Sequence, residues 1–71
     1  MPAELPAPMT GTIKEIRTAP GQQVTAGQEV FIVESMKMEI PVEADQGGVV
    51  AEVLVREGDR VEQGQPLLRL A

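Results

Sequence analysis

The sequence predicts an all-β fold, a flattened β-barrel of two facing sheets related by a pseudo-twofold axis. Three observations predict it. The 71-residue chain repeats itself at an offset of 37 residues. Each copy is built from short β-branched runs punctuated by glycine and proline. No segment sustains an apolar period of 3.6 residues over helical length, so no helix is expected.

The repeat lays residues 7–34 over residues 44–71 without a gap. Seven pairs are identical: Ala7/Ala44, Gly11/Gly48, Glu15/Glu52, Gly21/Gly58, Val24/Val61, Gly27/Gly64 and Gln28/Gln65. Ile13/Val50, Ile16/Val53, Val30/Leu67 and Val33/Leu70 pair like with like. Two copies of a few short strands cannot each close a core alone, but paired about a twofold they can.

The elements follow in order within each copy. Residues 11–18 and 48–55 are β-branched runs opened by glycine, hence strands. Pro20-Gly21 and Glu57-Gly58-Asp59 are turns, because proline presets φ and glycine tolerates positive φ. Val24 and Val61 sit in very short strands before the turns at Gly27 and Gly64. Residues 30–34 and 67–70 are the next strands. Arg69 lies over Ile32, so position 32 is expected to face solvent, with Phe31/Leu68 and Val33/Leu70 facing the core. Val30 and Leu67 break strict alternation, marking either a bulge or burial where the strand begins.

Composition bounds the rest. The chain is 42% hydrophobic and 24% charged, with Phe31 its one aromatic residue, so Val, Ile, Leu and Met must fill the core. The absence of Cys and His excludes disulfides and the usual zinc clusters. Packing and backbone pairing must stabilise so small a domain. The net charge is −5 and the six basic residues are scattered, which argues against a nucleic-acid partner. No apolar run approaches a membrane span, and no signal-peptide pattern opens the chain. A soluble, cytoplasmic protein without a membrane partner is expected, and the lack of cysteine fits a reducing compartment.

Between the copies lies Glu34-Ser35-Met36-Lys37-Met38-Glu39-Ile40-Pro41-Val42. Residues 30–34 and 38–42 both read as strands, so a β-hairpin with Met36 and Lys37 at its tip is the natural reading. By the twofold, the matching position in the other half is that of the chain termini. A lysine on such a tip projects where an enzyme can reach it. Its amine attacks only after losing a proton, so a modifying enzyme would supply the base and an activated acyl group. An arbitrary lysine would be an ordinary solvated side chain. Two methionines on an exposed turn distinguish this one, because methionine is disfavoured in water yet makes an adaptable contact surface.

Glu34-Ser-Met-Lys-Met38 resembles the biotin attachment motif of biotin-dependent carboxylases, commonly Glu-Ala-Met-Lys-Met. Ala7-Pro-Met-Thr-Gly11 resembles the opening Ala-Pro-Met-x-Gly of that family's biotinyl domain. Residues 21–28 resemble its Gly-x-x-Val-x-x-Gly-Gln, and residues 44–48 its Ala-x-x-x-Gly. Glu57-Gly-Asp-x-Val61 and Gly64-Gln65 complete the match, which covers essentially the whole chain. Ser35 replaces the common alanine, as in small stand-alone attachment proteins of the family. No room remains between the half-repeats for the "thumb" loop of some acetyl-CoA carboxylase carriers.

The resemblance implies one biotinyl/lipoyl-attachment domain over residues 1–71, with half-repeats 7–34 and 44–71 about a central hairpin at 35–38. It implies two four-stranded antiparallel sheets. It implies that biotin protein ligase makes biotinyl-AMP and that Lys37 attacks it, leaving biotin covalently attached. The cofactor would then shuttle a carboxyl group from biotin carboxylase to carboxyltransferase, the tether raising its local concentration at both. Met36 and Met38 would contact the ligase and the cofactor; Glu34, Ser35 and Glu39 would serve ligase recognition; Pro41 would stiffen the outgoing strand. The opening Met-Pro-Ala-Glu-Leu-Pro is either a native start or a cut from an Ala/Pro-rich linker of a longer carboxylase.

Three rival readings share the fold. A lipoyl domain carries its lysine on the same hairpin, usually as Asp-Lys-Ala, and Glu34 three residues before Lys37 suits both families; lipoate, alone or alongside biotin, is the alternative cofactor. A membrane-fusion adaptor would need a long coiled-coil insertion where this chain has a short hairpin. An unmodified structural barrel explains the repeat but leaves Met-Lys-Met an accident. An enzyme in its own right would need a nucleophile–base pair, a phosphate loop or a paired-acid site, and none is recognisable. A non-catalytic carrier is expected.

Overall fold

The computed structural model describes residues 3–71; Met1 and Pro2, with which the opening segment and the expected domain begin, lie outside the described residues. The strands are β1 (Ala3–Pro6), β2 (Gly11–Ile16), β3 (Gln23–Val24), β4 (Glu29–Ser35), β5 (Met38–Glu43), β6 (Gly48–Val53), β7 (Arg60–Val61) and β8 (Pro66–Leu70). They form two four-stranded antiparallel sheets, ordered β1-β8-β6-β3 and β5-β4-β2-β7. No helix occurs among the described residues. Adding 37 to a residue number carries β1–β4 onto β5–β8, and the same exchange converts one sheet order into the other.

The halves are interlocked rather than stacked. β2 of the first half pairs with β7 of the second, and β3 with β6. Most backbone hydrogen bonds outside the ladders come in symmetric pairs. The Ala7 amide donates to the Gln65 carbonyl and the Ala44 amide to the Gln28 carbonyl, each at 2.8 Å. Gly27, at φ 89°, donates to the Ala44 carbonyl, and Gly64, also at φ 89°, to that of Ala7. The glutamines of the repeat close their own turns: Oε1 of Gln28 accepts from the Thr25 amide and Oε1 of Gln65 from the Glu62 amide, both at 3.1 Å. The shared motif thus encodes turns that fasten one half to the other.

Both sheets contribute to one core. Ile13, Val24, Val30, Phe31, Val33, Val50, Val61, Leu67 and Leu68 are essentially inaccessible. Burying each such side chain contributes roughly 1.5–3 kcal/mol before entropy is charged against it. Val30 and Leu67 are buried beside Phe31 and Leu68 because bulges fall there, between Glu29 and Phe31 on β4 and between Leu5 and Pro6 against β8.

Three details differ from the sequence reading. β2 and β6 end at Ile16 and Val53, two residues before Thr18 and Val55, because the chain there turns into the core and crosses to the opposite sheet. Ala3–Pro6 is a strand that the pattern did not mark; it pairs with β8 as β5 pairs with β4, Ala3 facing Leu70 as Ile40 faces Val33. Ile32 was expected to face solvent and is instead only 7% exposed, although it lies outside the main core cluster.

The physical reason for Ile32 lies in an exchange between the halves. Arg69 faces Glu52 across the ladder and bonds it at 3.0 Å. Ile32 faces Glu15, the counterpart of Glu52, but Glu15 takes its cation from Arg17 at 2.8 Å. Arg17 also reaches Glu29 at 3.1 Å, and the hydrogen bond and charge of Glu15 hold its guanidinium above the ordinary arginine value. Arg17 lies over Leu54 in the repeat. Arginine and aliphatic residue have traded places, leaving Ile32 between its ladder partners Glu15 and Pro41.

Candidate functional site

β4 and β5 form a hairpin in which Ser35 faces Met38, leaving a two-residue turn of Met36 and Lys37. Both turn residues have positive φ, 53° and 64°. This is the backbone of a type I′ turn, whose twist matches that of antiparallel strands and which usually takes Asn-Gly. Side chains with a β-carbon adopt it at a cost of about 1–2 kcal/mol each. The hairpin ladder, from Glu29↔Glu43 to Ser35↔Met38, holds the turn in place.

The turn presents its side chains to water. Met36 is 93% exposed and Met38 64%. Lys37 is exposed too, and it takes part in none of the ion pairs among the described residues. Ser35 is half-buried and lies in register with Met38, the last pair of the row that begins with Phe31 and Val42 in the core. A groove of about 480 Å³ runs beside the turn, with Thr10, Thr12, Glu34 and Arg60 in its walls.

Glu34 and Glu39 stand opposite each other at the base of the hairpin. Between them reaches Lys14 from β2, its Nζ 3.8 Å from Oε2 of Glu34 and 3.4 Å from Oε2 of Glu39. The structure therefore gathers Glu34, Ser35, Met36, Lys37, Met38 and Glu39 on one hairpin end and adds Lys14 and Arg60, which the sequence did not single out. A residue-by-residue comparison of the halves carries the signal for both. Lys14 lies over Ala51 and Arg60 over Gln23.

Nothing in this arrangement forms a nucleophile–base pair, and no group of His, Cys, Asp and Glu suited to a metal ion occurs among the described residues. It offers one projecting amine on a rigid support. Among known proteins, the family described as "Biotin-requiring enzyme", the biotin/lipoyl domains, matches residues 3–70. The chain belongs to this family. It is a biotin carboxyl carrier domain of the kind found in biotin-dependent carboxylases, a non-catalytic carrier for which covalent biotin is the expected group.

Relatives range from small carriers to large enzymes. The chain is 49% identical over 63 residues to the biotin/lipoyl attachment protein of Bacillus subtilis (strain 168), covering 89% of this chain and 86% of that protein. It is 39% identical over 75 residues to the biotin carboxyl carrier protein of acetyl-CoA carboxylase from Nostoc sp. (strain PCC 7120), covering 96% of this chain but 41% of that one. Among solved structures, the Kluyveromyces lactis urea carboxylase matches with a TM-score of 0.91 at 34% identity, over 100% of this chain and 6% of the enzyme. The domain thus spans most of the small attachment protein and only a minor part of the others.

Proposed function

We propose that Lys37 is the residue to which biotin is attached, and that the domain serves as the carboxyl carrier between a biotin carboxylase and a carboxyltransferase. The observation that carries this reading is the two-residue turn, with an exposed lysine amine flanked by methionines that are 93% and 64% exposed. These residues fit a covalently attached group. The amine stands on a turn with no carboxylate of the described residues within ion-pair distance, so an acyl chain can be added without breaking an ion pair.

Each part of the hairpin has a task in this reading. The Lys37 amine forms an amide by attack on an activated carboxyl, losing its proton to a base of the biotin protein ligase as the leaving group departs. Met36 and Met38 give the ligase and the carboxylase sites a soft apolar contact beside the reacting atom. Glu34, Ser35 and Glu39 give the ligase polar and charged contacts on the flank. The rigid ladder fixes the root of the arm while the lysine side chain stays mobile, which raises the effective concentration of the carried group at both partner sites. The attached ring supplies the chemistry of taking up and releasing a carboxyl group. Residence in the cytoplasm belongs to the same proposal. No helix among the described residues is long and apolar enough to cross a membrane.

The test is co-expression with a biotin protein ligase followed by intact-mass measurement and streptavidin binding. One biotinyl increment on the native domain and none on Lys37→Arg is expected. No increment, or one that survives the substitution, sinks the assignment. A second reading is favoured by the name of the Bacillus relative, a biotin/lipoyl attachment protein. In it Lys37 also accepts lipoate, and a lipoyl increment with a lipoate ligase, lost in the same variant, supports it.

A further inference from the structure

The two halves act as each other's control at the hairpin. Lys14 and Glu34 of the first half and Arg60 of the second stand around the turn, whereas the twofold-related positions hold Ala51, Ala71 and Gln23. The sheet β1-β8-β6-β3 closes without those charges, so closing the barrel does not require them.

Lys14 owes its reach to a backbone irregularity. On β2, Ile13 faces Val33 and Glu15 faces Ile32, so Lys14 is the extra residue of a bulge. A bulge re-aims the side chain it carries. Here it sends the ammonium across β4 towards β5, to 3.4 Å from Glu39 and 3.8 Å from Glu34. Those carboxylates are direct cross-strand neighbours, an arrangement that is destabilising when nothing neutralises it. The equivalent bulge on β6, between Val50 and Glu52, carries Ala51 and reaches nothing.

We propose that Lys14 is a positioning residue for the modification of Lys37. From the β2 bulge it holds the carboxylates of Glu34 and Glu39 in one arrangement beside the turn, and a modifying ligase reads that arrangement with cationic groups of its own. The proposal rests on Lys37 being the modified residue. The unit of two carboxylates and one ammonium keeps a net negative charge, which suits a basic partner surface and a salt-sensitive encounter.

The test is steady-state biotinylation by a biotin protein ligase with the unmodified domain as varied substrate. Lys14→Gln raises KM about threefold to tenfold and leaves kcat within about twofold, because the lost contact acts in docking. Lys14→Arg restores most of the affinity. Arg69→Gln, which breaks the exposed pair with Glu52 on the other sheet, behaves as the native domain. The variant combining Lys14→Gln, Glu34→Gln and Glu39→Gln separates positioning from simple relief of repulsion. It regains the native melting temperature, since no like charges remain, but its KM stays as high as that of Lys14→Gln or higher. Recovery of the native KM in the triple variant, or an unchanged KM in Lys14→Gln, overturns the proposal while leaving Lys37 in place. A native domain that takes up no biotin overturns the Lys37 assignment and the proposal with it.

Discussion

A β-carbon placed on Gly11 would lie 2.5 Å from the carbonyl oxygen of Glu34 and 2.7 Å from a methyl of Val33. Gly11 thus lets β2 approach β4 at the root of the hairpin. Its counterpart Gly48 meets only the side chain of Leu70, at 3.2 Å. Gly11→Ala should therefore lower stability by about 2–4 kcal/mol, because backbone must move. Gly48→Ala should cost under about 1 kcal/mol, since a leucine can give way. Urea unfolding of both variants checks this; equal losses would contradict it.

The positive φ of Met36 and Lys37 predicts a trade-off. Asparagine and glycine suit a type I′ turn, so Met36→Asn and Lys37→Gly should each stabilise the unmodified domain, by about 0.5–1 kcal/mol. Lys37→Gly should lose all labelling by biotin ligase, and Met36→Asn should lose efficiency. Thermal unfolding beside a labelling assay measures the two effects on the same samples.

The exchange of Arg17 and Ile32 for Leu54 and Arg69 predicts a compensating pair of substitutions. Ile32→Arg alone exposes its neighbours and offers Glu15 a second cation, and should lower the melting temperature by several degrees, on the order of 5 °C. Arg17→Leu alone leaves Glu15 without its 2.8 Å partner. The double variant copies the other half and should recover most of the loss. A double-mutant cycle with no coupling would disprove the explanation of why Ile32 is buried.

Gln28 and Gln65 cap equivalent turns with side-chain oxygens at 3.1 Å. Each glutamine-to-alanine change should cost about 0.5–1 kcal/mol, at the low end for a hydrogen bond because both turns are exposed. The caps share no partner, so the double variant should show the sum, read from chemical denaturation.

Much of this molecule was legible in the chain. The repeat gave both sheets, since Gly21/Gly58, Val24/Val61 and Gly27/Gly64 mark turn and strand at the same places in each half. The candidate lysine was legible as well, because Met-Lys-Met falls where the halves join. β1 was not. Ala3–Pro6 is only four residues long and ends on a proline, too short a run to read by itself, and it is a strand because β8 offers it an open edge. Lys14 was hidden for a related reason. Its sequence distance from Glu34 and Glu39 carries no hint of contact, and only the bulge on β2 brings them together.

The sequence by itself determined the all-β class, the twofold, the turn positions and a hairpin centred on Met36 and Lys37. These depend on local conformational preference and on a period of two, both written in neighbouring residues. Tertiary structure alone decided that Ile32 is shielded, that Ala3–Pro6 joins a sheet, and that Lys14 spans two facing glutamates at the base of the turn bearing Lys37. These depend on which strands lie side by side, and ladder register is fixed only when the interlocked halves close on a common core.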